Sequence, residues 1–284
     1  MNMNKLSLSH YDLNMTLLGG QSFAWDFQDD FYYGFTKDKI IKLKLDIETC
    51  HGKSLLHWQT YPEKDDLDFL KKYLRLEVNY PHIIKKIQKD SHIKSAIRKY
   101  PGLRLLKQDF EETLLSFLIS SNNNIRSIRK IIRSMNRKFG KTLNVEGEKI
   151  YLFPRTEVIA DAKLEDLLEC KFGFRAKYIK GAARYILEKD LSKNIEKMSE
   201  SDSRTALLDM KGVGDKIADC VLVFGLGFDN ITPLDVWGKR IFTKFYKLNP
   251  KMKYEDMRKW ISNYFNGYAA WAGQFLYEYI RNLS

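Results

Sequence analysis

Cysteine is scarce in this chain: three residues in 284, at Cys50, Cys170 and Cys220. Three thiols so far apart exclude a disulfide framework, a tetrahedral zinc site and an iron–sulfur cluster held by four cysteines. They suit a reducing compartment. Long apolar runs are missing too. No stretch approaches the roughly 20 residues needed to span a bilayer, and the opening MNMNKLSLSHYDLN has no signal-peptide core. An intracellular globular protein with no membrane association is expected, cytoplasmic and, on its charge, at home near a nucleoid. Low-complexity segments and internal repeats are also lacking. Acidic residues are outnumbered, 36 against 48 Lys and Arg, for a formal net charge of +12. That excess favours polyanionic partners such as nucleic acid, although charge alone does not separate DNA from RNA or a membrane. What is present is ample for folding: 44% hydrophobic and 13% aromatic residues can build two or three packed subdomains.

From Ser22 to about Trp58 the pattern is that of strands. SFAWDF, FYYGF and KIIKLKL follow one another, the last alternating Ile41, Leu43 and Leu45 against Lys42 and Lys44. Asp29-Asp30 fits a hairpin turn, and a small antiparallel sheet with one buried face is expected. After Pro62 the period changes to helical. Asp65-Asp66 can cap a helix carrying Leu67, Leu70 and Leu74, a second runs from Pro81 through Ile84 and Ile87, and Asp109 with Glu112 forms a capping box. Gly140 stops the helix bearing Ile128, Ile131 and Ile132. The stretch from Lys141 to Pro154 is expected as a loop with one short strand at most. The fold class is α+β, with residues 1–105 holding the sheet and the helices after it, and 106–284 a mostly helical region.

The segment Leu207–Lys239, LLDMKGVGDKIADCVLVFGLGFDNITPLDVWGK, is the most informative. Gly212, Val213 and Gly214 lie between two apolar runs of helical spacing, so a tight turn there leaves backbone N–H groups to cradle a phosphate. Lys216 follows in the first turn of the second helix, where the macrodipole disfavours an ammonium and favours a free amine. An amine beside a DNA backbone points to covalent chemistry at a sugar. Asp235 follows nineteen residues later, and its place after Thr232-Pro233-Leu234 also suits an N-cap. This stretch, with a hairpin at 207–224 and an aspartate loop at 229–240, resembles the helix-hairpin-helix (HhH-GPD) DNA glycosylases, whose catalytic lysine and aspartate show the same spacing.

Four other segments resemble the 8-oxoguanine branch of that superfamily, and a resemblance to it implies an N-terminal antiparallel sheet domain. GGQSFAW (Gly19–Trp25) is similar to the family segment in which the carbonyl of the glycine before Gln reads the damaged base, here Gly20. Guanine N7 is an acceptor whereas the 8-oxo form carries N7–H, so a fixed carbonyl attracts one and repels the other. SSNNNI (Ser120–Ile125) resembles the Asn-rich turn that fills the stack after extrusion, with Asn122 in that place. FGFRAKY (Phe172–Tyr178) puts Phe174 at the aromatic wedge and Arg175 at a contact to the estranged cytosine. AAWAGQFLYEYI (Ala269–Ile280) places Tyr277 at the aromatic that stacks on the flipped base, but Gly273 where the family has the Gln that reads the Watson–Crick edge. Neighbouring Gln274 is the substitute available.

Further departures follow from the same alignment. Ser127 stands where a second cytosine-reading arginine is expected, with Arg126 adjacent. Trp237 replaces a histidine at the pocket edge, and Lys211 replaces the hairpin proline. Cys220 matches a pocket cysteine that, with Tyr277, would sandwich the base. The resemblance implies a bifunctional glycosylase and lyase working as a monomer on duplex DNA containing oxidised guanine, without a cofactor; it also implies a cation held by the hairpin carbonyls and bridging to phosphate, and no side chain is assigned as a metal ligand. A glycosylase for another lesion and a non-catalytic hairpin DNA-binding protein are the alternatives.

Overall fold

Alternation of period two builds the N-terminal part of the protein. In the computed structural model, which describes residues 3–9, 11–47, 53–63 and 65–282, five strands form one sheet. They are β1 (Asn4–Ser9), β2 (Trp25–Gln28), β3 (Phe31–Phe35), β4 (Ile40–Ile47) and β5 (Lys53–Tyr61), in the order β1-β5-β4-β3-β2. Every pairing is antiparallel. The sheet therefore starts earlier and ends later than the Ser22 to Trp58 span. β1 had a signal, Leu6 and Leu8 half-buried between exposed Lys5, Ser7 and Ser9, but these six residues gain strand character only through β5, with Asn4 opposite Trp58. The Asp29-Asp30 turn is present, with φ of 49° and 66° at the two residues, the left-handed pair a two-residue hairpin needs. Cys50 lies outside the described residues.

One face of the sheet packs Trp25, Ile41, Leu43, Leu56 and Trp58 on Leu17, Leu70, Tyr73 and Leu74. Its far end is covered by a second hairpin, β6 (Thr142–Val145) and β7 (Glu148–Tyr151), where a loop with one short strand was expected. Val145 and Leu152 join Ile40 and Tyr61 in a small cluster, and Lys42, on the face opposite Ile41, pairs with Glu146 at 2.8 Å. The sheet is thus sealed on part of its second face.

Helices begin where the caps predict. Asp66 accepts from Phe69 N–H ahead of Leu67–Tyr73, Asn79 caps Tyr80–Ile87, and Asp109 accepts from Glu111 and Glu112 N–H ahead of Phe110–Ser120. Glu112 does not close the capping box. Its buried carboxyl accepts the Lys37 N–H at 2.5 Å, which ties the helix to the β3–β4 turn. Gly140 is the C-cap of the Ile125–Phe139 helix, in extended conformation, and glycine is required there because a Cβ would lie 2.0 Å from the Leu152 carbonyl oxygen. The main core runs through Leu114, Phe117, Ile128, Ile132, Val221, Trp271 and Phe275. Among the described residues no helix is long and apolar enough to cross a membrane.

The hairpin forms between helices Glu200–Leu208 and Asp215–Val221. Gly212 takes φ +95°, and a Cβ at that position would lie 2.5 Å from the Tyr178 ring. Conformation and close approach both require glycine. Gly212→Ala should therefore lower stability by roughly 2 kcal/mol or more. A urea midpoint within experimental error of the parent would contradict this account of the turn.

Candidate active site

A cavity of about 440 Å³ opens where separated segments meet: Gly19-Gly20, the Ser120–Asn123 turn, the hairpin's second helix, the loop before Trp237 and the C-terminal helix. It is lined by Gly20, Asn122, Lys216, Cys220, Asp235, Trp237, Gln274 and Tyr277 together. Phe174, Arg175, Arg126, Lys211 and the hairpin residues lie outside its lining.

Lys216 sits in the first turn of its helix with Nζ 3.2 Å from Ser120 Oγ and 4.8 Å from the centre of the Phe117 ring. Ser120 donates its own proton to the Phe117 carbonyl at 2.6 Å, so its oxygen can only accept from the lysine. The sequence pointed to Lys216 but not to these two partners, which lie three residues apart on the Phe110–Ser120 helix and so share a face. Asp235 caps the Val236–Phe245 helix, its Oδ1 accepting Gly238 N–H at 2.8 Å. The capping role and the place in the site hold at once.

The lysine helix and the aspartate loop are joined by a residue outside the sequence reading. Asp219, fully buried on Lys216's own helix, accepts from Tyr254 OH at 2.8 Å. Tyr254 Oη in turn accepts the Leu234 N–H at 3.2 Å, one residue before Asp235. Arg258 and Arg204 approach the Asp219 carboxylate at 3.2 and 3.4 Å. Burial nonetheless pushes the Asp219 carboxyl up to about 6, with the two guanidinium groups pulling the other way.

Gly20 holds φ +92° at the head of the motif. Gln21 pins that turn. Its Nε2 donates to the Thr16 and Arg104 carbonyls at 3.1 and 2.7 Å, and its Oε1 accepts Leu106 N–H at 2.9 Å. The Gln of the motif is thus fully engaged by backbone, and the glycine before it is what faces the cavity. Cys220 stands in the wall, buried, with its thiol pushed up to about 12 by desolvation, and it is neutral near pH 7. Tyr277 is half-buried in the cavity lining, and Trp237, also in the lining, is 37% exposed.

Gly273 is explained by packing. A Cβ there would fall 1.8 Å from Thr232 Oγ1, so the space a longer side chain would need is filled by the aspartate loop. The next residue carries the amide: Gln274 Nε2 donates to the Gly19 carbonyl at 3.4 Å and to Glu278 Oε1 at 3.3 Å. Glu278 is fully buried, and burial pushes its carboxyl up to about 7 against the pull of Arg281, which pairs with Oε2 at 2.9 Å.

Outside the cavity, Phe174 is 60% exposed with its ring 4.5 Å from the Arg175 guanidinium. Arg175 is buried. Its Nε donates to the Ser121 carbonyl at 2.8 Å and its Nη2 to the Asn122 carbonyl at 3.0 Å, so its donors brace the turn that presents Asn122. Asn122 itself is exposed, with φ 49°. Arg126 and Lys211 are exposed; Ser127 gives its N–H to the Asn124 cap at 2.9 Å. In the hairpin, Val213 is buried and its N–H goes to the Met210 carbonyl at 3.0 Å. The expectation of free N–H groups therefore narrows to exposed Gly212 and Gly214.

A carboxyl raised by burial contributes stability that is complete below its unfolded value and declines as pH rises through its folded value. For Glu278 that window runs from 4.5 to about 7. Glu278→Gln removes this titration, so the variant should gain on the parent by up to about 3 kcal/mol between acid and about pH 8. Urea unfolding at both ends checks it, and a difference that is flat or shrinks with pH contradicts it.

Two family models account for the chain in succession: 8-oxoguanine DNA glycosylase, N-terminal domain, over residues 4–114, and HhH-GPD superfamily base excision DNA repair protein over residues 115–266. The N-glycosylase/DNA lyase of Saccharomyces cerevisiae is 31% identical over 272 residues, covering 86% of this chain and 71% of that protein. The N-glycosylase/DNA lyase OGG1 of Arabidopsis thaliana is 27% identical, covering 96% and 78%. The Clostridium acetobutylicum 8-oxoguanine glycosylase/lyase, solved with double-stranded DNA containing cytosine opposite 8-oxoguanine, superposes with a TM-score of 0.87 at 26% identity, covering 100% of this chain and 99% of that one. With Lys216, Asp235 and the Gly19-Gly20 turn gathered around one cavity, the chain belongs to the HhH-GPD superfamily of base excision repair proteins, in its 8-oxoguanine DNA glycosylase family.

Proposed function

We propose that this protein is a bifunctional DNA glycosylase and lyase that removes 8-oxoguanine from duplex DNA through Lys216. The observation that carries the reading is one cavity lined by Lys216, Asp235, Gly20, Cys220 and Tyr277, residues far apart in sequence. The named relatives support the substrate. The chain divides into a sheet-bearing part, residues 1–105, and a helical part, 106–284, with the cavity between elements of both.

Phe174 wedges the opposite strand and Asn122 takes the space of the extruded nucleotide, while Gly212, Gly214 and Lys211 hold backbone phosphate and Arg126 the strand beside the turn. Arg175, its guanidinium engaged by the Phe172, Ser121 and Asn122 carbonyls, serves the orphaned cytosine by holding the Asn122 turn in place. In the pocket the base lies between Cys220 and Tyr277, with Trp237 closing the edge and the Gly20 carbonyl accepting from N7–H. Lys216, as the free amine, attacks C1′ and the C1′–N9 bond breaks, the base leaving with the electron pair and a proton. Asp235 stabilises positive charge developing on the sugar. Ring opening gives an imine between Lys216 and C1′. The imine acidifies C2′–H, and loss of that proton expels the 3′ phosphate and nicks the strand. Free thiols at Cys170 and Cys220 suit a reducing, nucleoid-associated setting.

Lys216→Gln should abolish borohydride trapping on duplex containing 8-oxoguanine while the variant still binds it. Trapping that persists places the nucleophile elsewhere, and a purine-excision panel with the parent protein separates this activity from removal of alkylated or deaminated bases. Ser127 in place of an arginine removes one bidentate contact, worth about 1–3 kcal/mol of discrimination. Excision opposite cytosine should therefore exceed excision opposite the other bases only modestly, and a steep cytosine preference in the four-base comparison contradicts this.

A further inference from the structure

Glu278 has no place in the chemistry above, yet its buried carboxyl reaches both elements that face the base. Its Oε1 accepts from Gln274 Nε2 at 3.3 Å, and that same nitrogen donates to the carbonyl of Gly19, next to the Gly20 carbonyl, at 3.4 Å. A Cβ on Gly19 would fall 2.8 Å from Glu278 Oε1, so carboxyl and turn are in close contact. Arg281 holds the other carboxylate oxygen at 2.9 Å. Because a carboxylate and a carbonyl are both acceptors, the amide has one orientation: NH2 toward them and oxygen away. Among the described residues no protein donor reaches Gln274 Oε1, and that atom is not among the sealed polar atoms without a partner, while Gln274 lines the cavity. An acceptor is thereby offered to the pocket.

We propose that Glu278 is a positioning residue for base selection, fixing the Gln274 amide so that its oxygen receives the N1–H and N2–H donors of a guanine edge. The inference rests on the 8-oxoguanine reading above and deepens it. The N7–H and C8 carbonyl are common to 8-oxoguanine and 8-oxoadenine, so the Gly20 carbonyl does not tell them apart. Their Watson–Crick edges differ at N1, a donor in the first and an acceptor in the second. An amide oxygen locked toward N1 attracts one and repels the other. With glutamine at position 278 the neighbour can donate as well as accept, both amide orientations become available, and the lock is lost.

The test compares kcat/KM for duplexes carrying 8-oxoguanine or 8-oxoadenine opposite cytosine, at a pH of about 8, where Glu278 is ionised. The readout is the ratio of the two values. Measured on one preparation it cancels the fraction of active enzyme, so partial unfolding of a variant does not mimic the effect. Glu278→Gln should lower the ratio about tenfold, the lower part of the range for one well-made base contact. Gln274→Met should lower it by a similar factor, and Glu278→Gln added to Gln274→Met should lower it no further, because the carboxyl acts through the amide. A ratio unchanged in Glu278→Gln, or a further fall in the double variant, overturns the proposal. Parent protein that fails to release 8-oxoguanine at all defeats the functional reading instead, and the two failures are distinct.

Discussion

Lys216 and Asp235 lie on segments that diverge after the hairpin, and a carboxylate sealed from water brings them back into register. Asp219 is on the lysine helix one turn after Lys216, and through the Tyr254 hydroxyl it holds the Leu234 N–H beside Asp235. Burying a carboxylate is costly unless it is paired and hydrogen-bonded, and Arg204 from one helix, with Tyr254 and Arg258 from another, supply that compensation. Arg258 also pairs with Glu200 at the start of the hairpin's first helix. Loss of this single carboxylate would leave two inward guanidinium groups short of a partner. The relative placement of Lys216 and Asp235 is thus a property of a charge network, not of either residue alone.

The N-terminal sheet serves the site at a distance. Its strands carry no cavity residue, but they hold the short helix Leu13–Leu18 and the turn after it, which delivers Gly19 and Gly20. Gln21 fixes the turn to the segment around Leu106, and Arg75 reaches from the other side to Asp229 with two hydrogen bonds of 2.9 and 3.1 Å. The Gly19-Gly20 turn and the aspartate loop are therefore anchored to the same mass of protein. The π-turn Leu222–Leu226 at the end of the lysine helix packs Phe224 on Phe117, ring on ring at 5.8 Å, and Phe117 is the ring under Lys216 Nζ.

What was legible in the sequence was local. A glycine with positive φ, a cap, a hairpin lysine and an aspartate before a helix all depend on a few neighbouring residues, so Gly20, Gly212, Lys216 and Asp235 could be found without coordinates. Asp29-Asp30 was equally visible as a turn. Partners were not. Ser120 under Lys216, Tyr254 between Asp219 and Leu234, and Thr232 in the space beside Gly273 are contacts across the core, decided by how helices pack. Arg175 shows the division within one residue: its place after Phe174 was clear, whereas the carbonyls it would bind were not. The β6–β7 hairpin was missed although Glu146-Gly147 carries left-handed φ of 53° and 89°, because strands of four residues gain little until the first sheet covers them.

The neutral thiol of Cys220 bears on what the pocket wall can do. Peroxide and other oxidants attack thiolates, and their rate follows the deprotonated fraction and access. A sulfur held as S–H by burial in the pocket wall has little of either. Burial of Cys220 thus keeps a soft nucleophile in the wall in its unreactive form, so this sulfur contributes shape and an apolar surface to the pocket and no redox chemistry.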